Sequence, residues 1–70
     1  MPKVNIIQGK LSKIFKNVTF HSMSEGGTRA FYQVPLPIDL TKTMLRKLAS
    51  IPEFSIINST PDYYTIVCHI

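Results

Sequence analysis

The sequence predicts a small α+β domain, in which an antiparallel sheet of about four or five strands carries one principal helix on one face. Three observations lead to this prediction. Strand-like segments flank a pair of glycines at 26–27, and two more flank a proline and an aspartate at 61–62. Between them, residues at about 39–50 have the apolar spacing of an amphipathic helix. The chain of 70 residues is expected to form a single domain, 1–70.

The N-terminal pattern is compatible with more than one structure. Val4, Ile6 and Ile7 predict a short first strand that ends near Gly9. At about 10–17 the apolar and lysine side chains separate onto two sides of a helix, so a second short helix is predicted there. Two helical turns are marginal alone and need packing against the domain. With this helix the order begins βαββαβ, the order of a ferredoxin-like fold, which is kept as an alternative.

The two glycines predict the connection of a β-hairpin, because they supply the positive φ that tight connections require. A three-residue loop at 25–27 would place Phe20 opposite Tyr32 and Ser22 opposite Ala30. This register collects the apolar side chains on one face. A two-residue loop of the glycines alone would mix the faces, since a slip by one residue turns the apolar set of a strand toward water.

The principal helix is predicted at about 39–50, with Asp39 as its N-cap and Pro52 after its end. Its core-facing side chains are expected to be Leu40, Met44, Leu45 and Leu48. Beyond the helix, residues 54–58 and 63–70 predict two strands joined by a proline–aspartate turn. The last strand has apolar residues on both of its faces, which predicts that it lies within the sheet.

Charge and cysteine content limit the class of partner. Eight Lys and Arg residues against four Asp and Glu residues give a net charge of +4, which favours an acidic partner such as nucleic acid, an anionic membrane face or an acidic protein surface. Cys68 is the one cysteine, so no intramolecular disulfide can form and a cytoplasmic location is expected. No apolar run approaches the ~20 residues of a membrane span, so no membrane-spanning helix is expected. A membrane is not among the predicted partners. The sequence neither shows nor excludes a homodimer.

Residues for catalysis or metal binding are few. Cys68 and His69 are neighbours on a strand and therefore point to opposite faces, which separates them as nucleophile and base. A zinc site commonly needs four ligands, and this chain has three candidates, of which His21 is distant in sequence. The paired glycines lack the lysine and the following helix of a phosphate-binding loop. We therefore expect no enzyme activity, no metal and no cofactor.

Two groups of basic residues are the candidate binding residues. One group lies on the short helix, and the other lies on the principal helix opposite its leucines. The groups are Lys10, Lys13 and Lys16, and Lys42, Arg46 and Lys47. A solvated helix face, favoured near the C-terminal end by the helix dipole, is the ordinary explanation for the second group. Phe31 and Tyr63 are the candidate platforms on which nucleic-acid bases would stack.

The leading function prediction is a small non-enzymatic regulator or inhibitor that docks on a protein, either an acidic protein surface or a nucleic-acid-processing protein. The open edges of a short sheet favour such docking, because they can accept a partner strand. Direct binding of DNA or RNA through the two basic groups is the alternative. A viral or mobile-element origin would suit so small a regulator.

Overall fold

Two helices and one four-stranded antiparallel sheet make up the computed structural model, which describes residues 3–70. The elements are α1 (Lys3–Ser12), β1 (Thr19–Met23), β2 (Arg29–Pro35), α2 (Lys42–Ala49), β3 (Phe54–Ser59) and β4 (Tyr63–His69). The predicted α+β class is confirmed, with one sheet, one principal helix and a second short helix. Within residues 3–70, neither helix has the length and apolar character needed to cross a bilayer.

The strands are ordered β1-β2-β4-β3, so the last strand of the chain lies inside the sheet as its pattern predicts. Its neighbours are β2, with Tyr32 opposite Ile66, and β3, with Ile57 opposite Ile66. Both helices contribute to the same core on one face of the sheet. That core comprises Ile7, Leu11, Phe15, Val18, Ala30, Tyr32, Val34, Leu48, Ile51, Ile66 and Cys68.

The predicted first strand is wrong, because its residues lie in α1. Val4, Ile7 and Leu11 follow one another at the spacing of a helix face, and Ile7 and Leu11 are fully buried. Ile6, which a strand would share with the core face of Val4, is 44% exposed. The short apolar run fits both periods, and burial against the sheet selects the helical one.

The second short helix exists, but it spans Lys3–Ser12 and not 10–17. Leu11 and Phe15 belong to the apolar side of the predicted helix at about 10–17, and both are buried. Phe15 follows the observed helix in a turn in which its N–H donates to the Leu11 carbonyl at 2.9 Å. The element order is therefore αββαββ. The ferredoxin-like alternative, which requires a strand before the first helix, is wrong for the described residues.

Tyr32 joins the sheet to α1. It is the largest fully buried side chain, and its hydroxyl donates a hydrogen bond of 2.8 Å to the Val4 carbonyl in the first turn of the helix. A buried hydroxyl needs such a partner, because leaving it unpaired costs about 1–3 kcal/mol. Burial raises the pKa of Tyr32 to about 12. The hydroxyl therefore stays protonated and fixes the position of the helix on the sheet.

The first hairpin has the predicted residue pairing away from its loop and a different pairing next to the loop. Phe20 lies opposite Tyr32 as predicted, whereas Ser22 lies opposite Phe31 and not opposite Ala30. The loop is one residue longer than predicted, since the Ser24 N–H donates to the Arg29 carbonyl at 2.9 Å. A bulge between Phe20 and Ser22 absorbs the extra residue and restores the predicted register beyond it. Both loop glycines have positive φ, 90° and 70°.

The principal helix begins later than predicted. Thr41 is its N-cap in place of Asp39, and the Thr41 hydroxyl accepts a hydrogen bond of 3.2 Å from the Met44 N–H. Leu48 is fully buried, but Leu45 is 42% exposed, so its assignment to the core is wrong. Met44 and Leu48 are one helical turn apart and face the sheet, whereas Leu45 is rotated by about 100° from Met44.

The second hairpin agrees with the sequence prediction. Thr60 and Tyr63 flank a two-residue connection, and the Thr60 N–H donates to the Tyr63 carbonyl at 2.8 Å. On β4, Ile66 and Cys68 are fully buried on the core face. Val67 points to the other face of the sheet, where its neighbours in register are Phe31 and Ile56.

The different positions of Leu48 and Leu45 can be tested with a matched pair of variants. Leu48→Ala should lower the free energy of unfolding by about 2–5 kcal/mol, as expected for a buried leucine. Leu45→Ala should lower it by less than about 1 kcal/mol, because much of its side chain already contacts water. Urea unfolding followed by circular dichroism measures both. Equal losses would show that both leucines lie in the core.

The helical assignment of the N-terminus can be tested at Gly9. This residue lies inside α1, and an added Cβ would meet no atom within 4 Å. Gly9→Ala should raise the free energy of unfolding by roughly 0.5–1 kcal/mol, because glycine loses more backbone entropy in a helix than alanine. The same urea titration measures the change. A loss of stability would contradict the placement of Gly9 in a solvent-facing helical position.

Candidate functional site

The fold consists of two αββ units that correspond to each other. The sheet order is the same when read from either edge, with the second strands of the two hairpins paired antiparallel in the middle. A half-turn about the pair of Tyr32 and Ile66 maps β2 onto β4 and β1 onto β3. Phe20 and Ile57 correspond accordingly, since they lie opposite Tyr32 and Ile66.

Both helices end in the same local structure. The sequence is KLSKI at 10–14 and KLASI at 47–51. In the first unit the Lys13 N–H donates to the Lys10 carbonyl at 3.3 Å, and in the second the Ser50 N–H donates to the Lys47 carbonyl at the same distance. The next N–H donates to a leucine carbonyl in both units, from Ile14 to Leu11 at 2.9 Å and from Ile51 to Leu48 at 3.0 Å. The lysines and isoleucines therefore occupy corresponding positions in the two units.

An open cleft of about 400 Å³ lies where these two helix ends meet. It is lined by Lys10, Lys13, Ile14, Lys47, Ser50, Ile51 and Pro52. The two isoleucines and the proline supply apolar surface, and the three lysines supply ammonium groups. The cleft therefore combines a place for an apolar side chain with positive charge around it.

Glu53 is the acid associated with this cleft. Its carboxylate accepts hydrogen bonds from the Lys10 Nζ at 3.0 Å and 3.4 Å, which forms the one ion pair within residues 3–70. The hydrogen bond from Lys10 holds the pKa of Glu53 below its usual range. The pair joins the end of α1 to the segment after α2, so it bridges the two αββ units.

The predicted basic groups are regrouped by the fold. Lys10 and Lys13 from the first group line the cleft together with Lys47 from the second. Three other predicted residues are exposed and do not line it: Lys16, Lys42 and Arg46. Tertiary structure thus divides each of the two predicted basic groups, and the lysines that line the cleft come from both of them.

The predicted stacking residues do not line the lysine cleft. Phe31 and Tyr63 are half-buried and alternate along their strands with the core-facing Tyr32 and Tyr64. They therefore lie on the sheet face opposite the helices. The aromatic pair and the lysine cleft are on opposite sides of the sheet.

Cys68 and His69 occupy the opposite faces that the strand pattern predicts. Cys68 is fully buried, and burial raises the pKa of its thiol to about 11. His69 is exposed. The protonated, buried thiol has the properties of a small apolar core residue. In the part of the chain that the structure describes, no three His, Cys, Asp or Glu side chains are grouped to hold a metal ion.

Four residues that line the cleft were not predicted from sequence as site residues, namely Ile14, Ser50, Ile51 and Pro52, and neither was Glu53, which pairs with Lys10. The signal that could have found them is the duplicated K-L-x-x-I pattern, 37 positions apart at 10–14 and 47–51. It covers one helix end in each unit and is too short to be apparent as an internal repeat. Glu53 lies outside the duplicated pattern, and only the folded chain brings it to Lys10.

Comparison with known proteins identifies no relative: no family model, curated protein or solved structure matches this chain.

The alkaline stability of the domain should report the buried thiol. The pKa of Cys68 is raised from 9.0 to about 11 in the folded chain, so the unfolded chain loses this proton first. The thiol's contribution to stability is therefore complete below about pH 9 and is lost as the pH rises through about 11. Tyr32 acts in the same direction between about pH 10 and 12.

Urea unfolding at a series of pH values should show this decline in the parental protein. In Cys68→Ala, the decline relative to the variant's own neutral-pH stability should begin later, near pH 10. Tyrosine ionises in the unfolded chain from that pH, whereas the raised pKa keeps Tyr32 protonated in the folded one. Identical pH profiles in the two proteins would contradict the raised pKa of Cys68.

Proposed function

We propose that this chain is a non-enzymatic binding protein, a regulator or inhibitor, which docks on an acidic segment of a protein partner through the lysine-lined cleft. The observation that carries the proposal is the meeting of Lys10, Lys13 and Lys47 around apolar surface at the two helix ends. The lysines come from both αββ units, so the folded domain, and not one helix alone, forms the site.

The chemistry of the cleft suits a protein partner. Protein interfaces combine an apolar centre with a polar rim, and the isoleucines and lysines of the cleft have this arrangement. A volume of about 400 Å³ is within the usual range of ligand pockets, so the cleft can hold side chains of a partner segment and act as an anchor within a larger contact. Lysines at the rim would steer an acidic partner and raise its association rate.

The separation of charge and aromatic surface favours protein over nucleic acid. A single-stranded nucleic acid needs a basic groove for its phosphates beside aromatic rings for its bases. Phe31 and Tyr63 lie on the sheet face opposite the helices, away from the cleft lysines. Lys16, Lys42 and Arg46 do not line the cleft.

A binding role is also consistent with the state of Cys68. A nucleophilic cysteine is deprotonated and accessible, whereas this thiol is buried with a pKa of about 11. A reduced, buried cysteine agrees with a cytoplasmic site of action.

The proposal can be tested by removing the cleft charges in a pull-down from the source cell. Lys10, Lys13 and Lys47 are replaced together by Gln. We expect this variant to lose the captured protein partner, because the rim no longer attracts its acidic segment. Circular dichroism should show that the variant remains folded, since these side chains are outside the core.

A matched control removes the same charge elsewhere. Arg29, Lys42 and Arg46 are exposed and do not line the cleft. They are replaced together by Gln, and this variant should keep the partner. Half of each sample is treated with nuclease, which should leave the captured protein unchanged. Equal losses in both triple variants would show that net charge, and not the cleft, attracts the partner. Loss of the partner on nuclease treatment would favour the nucleic-acid alternative.

A further inference from the structure

The two halves of the cleft correspond in backbone structure but differ in charge. On one side, Lys10 is paired with the carboxylate of Glu53, which lies just after the second helix end. On the other side, Lys47 has no carboxylate within 4 Å among the described residues. The difference arises from the segments that follow the two KLxxI helix ends.

The segments can be aligned through residues with matching structural positions. Ile14 corresponds to Ile51 through the hydrogen bonds of the helix ends, and Phe20 corresponds to Ile57 through pairing with the central strands. Glu53 lies between Ile51 and Ile57 in the second unit. The matching stretch of the first unit, residues 15–19, contains Lys16 and Asn17 and no acid.

The internal ion pair shows how a carboxylate binds one lysine of this cleft. Glu53 reaches across from one unit to the lysine of the other, and the Lys10 Nζ donates to both of its carboxylate oxygens. By the same correspondence, the first unit has Lys16 in the position of Glu53, so this segment offers Lys47 no carboxylate. Lys13 adds further charge, because its counterpart in the second unit is the neutral Ser50. The half of the cleft around Lys47 therefore has uncompensated positive charge.

We propose, on the basis of the function proposed above, that the partner supplies the second carboxylate. An Asp or Glu side chain of the partner binds Lys47 and Lys13 in the position that corresponds to Glu53 on Lys10. A neighbouring apolar side chain of the same segment contacts Ile14, Ile51 and Pro52. The cleft thus recognises an acidic peptide segment that carries an apolar residue beside its acid.

The charge complementarity of the cleft supports this partner. Three lysines face one glutamate, so an anion is favoured over a neutral segment. The apolar surface between the lysines would stay in contact with water beneath a bare inorganic anion. A leucine or a similar side chain would remove that surface from water, which stabilises the complex by roughly 25 cal/mol per Å² of buried apolar area.

The test places an internal carboxylate where the partner's carboxylate is inferred to bind. Lys16→Glu and Asn17→Glu each introduce an acid into the segment that corresponds to Glu53, and both positions are exposed, so folding should be retained. The probe is a fluorescein-labelled peptide that contains four glutamates with one leucine in the middle. Its binding is measured by fluorescence anisotropy. We expect at least one of the two variants to weaken peptide binding roughly tenfold relative to its control.

The controls separate an occupied site from altered net charge. Lys42→Glu makes the same charge change as Lys16→Glu on an exposed residue outside the cleft and should weaken binding by less than about threefold. For Asn17→Glu the matched control is Thr43→Glu, also on the exposed part of α2. Replacing the leucine of the peptide with serine should weaken its binding to the parental protein.

Three results would overturn the inference: no binding of the peptide to the parental protein, equal effects of the designed acids and their controls, or equal binding of the leucine and serine peptides. Equal sensitivity of a single-stranded oligonucleotide to the same variants would overturn it as well. Failure of the proposed function is seen separately, as retention of the cellular partner by the triple Gln variant of the cleft. Loss of the partner there, with no effect of the designed acids, would leave the proposed function standing.

Discussion

The position of β4 between β2 and β3 is the constraint on which the rest of the structure depends. The two hairpins share no other strand pairing, so the sheet is continuous only because the C-terminal strand is bonded on both sides. Seven residue pairs join β2 to β4, from Arg29 with His69 to Pro35 with Tyr63. This long-range pairing sets the two αββ units in their relative orientation and brings their helix ends together.

The helices are held on the sheet by contacts from its two central strands. Tyr32 of β2 combines apolar burial with a hydrogen bond to the Val4 carbonyl of α1. Ile66 of β4 lies opposite it and is also fully buried. Because the core of so small a domain is thin, a few residues of this kind hold each helix in place. The cleft lies between the helix ends that they position.

Similarity of backbone and difference of charge together define the candidate site. The repeated KLxxI helix end brings a lysine and an isoleucine to the cleft from each unit. The segments that follow differ in sequence, so that one contains Glu53 and the other contains Lys16. An internal carboxylate compensates one lysine, whereas the other half of the cleft remains positive. The site is therefore built from symmetric positions and takes its specificity from their asymmetric charges.

The sequence by itself determined the α+β class, both hairpins, the pairing of Phe20 with Tyr32 and the existence of the principal helix. These features depend on local patterns of glycine, proline and apolar spacing, which act over a few residues. The basic character of the candidate site is also predicted from the sequence, because both predicted basic groups contribute to it, one with Lys10 and Lys13 and the other with Lys47. The grouping of these three lysines is not, since no local pattern relates α1 to α2.

Tertiary structure decided the features for which local patterns allow two answers. Val4 and Ile7 fit a strand or a helix, and packing against Tyr32 selects the helix. Leu45 is an apolar residue of a type common in protein cores, but the rotation of α2 against the sheet leaves its side chain exposed. The cleft and the pair of Lys10 with Glu53 join residues 43 positions apart. Such contacts follow from the central pairing of β2 with β4, which is a property of the folded chain and not of any one segment.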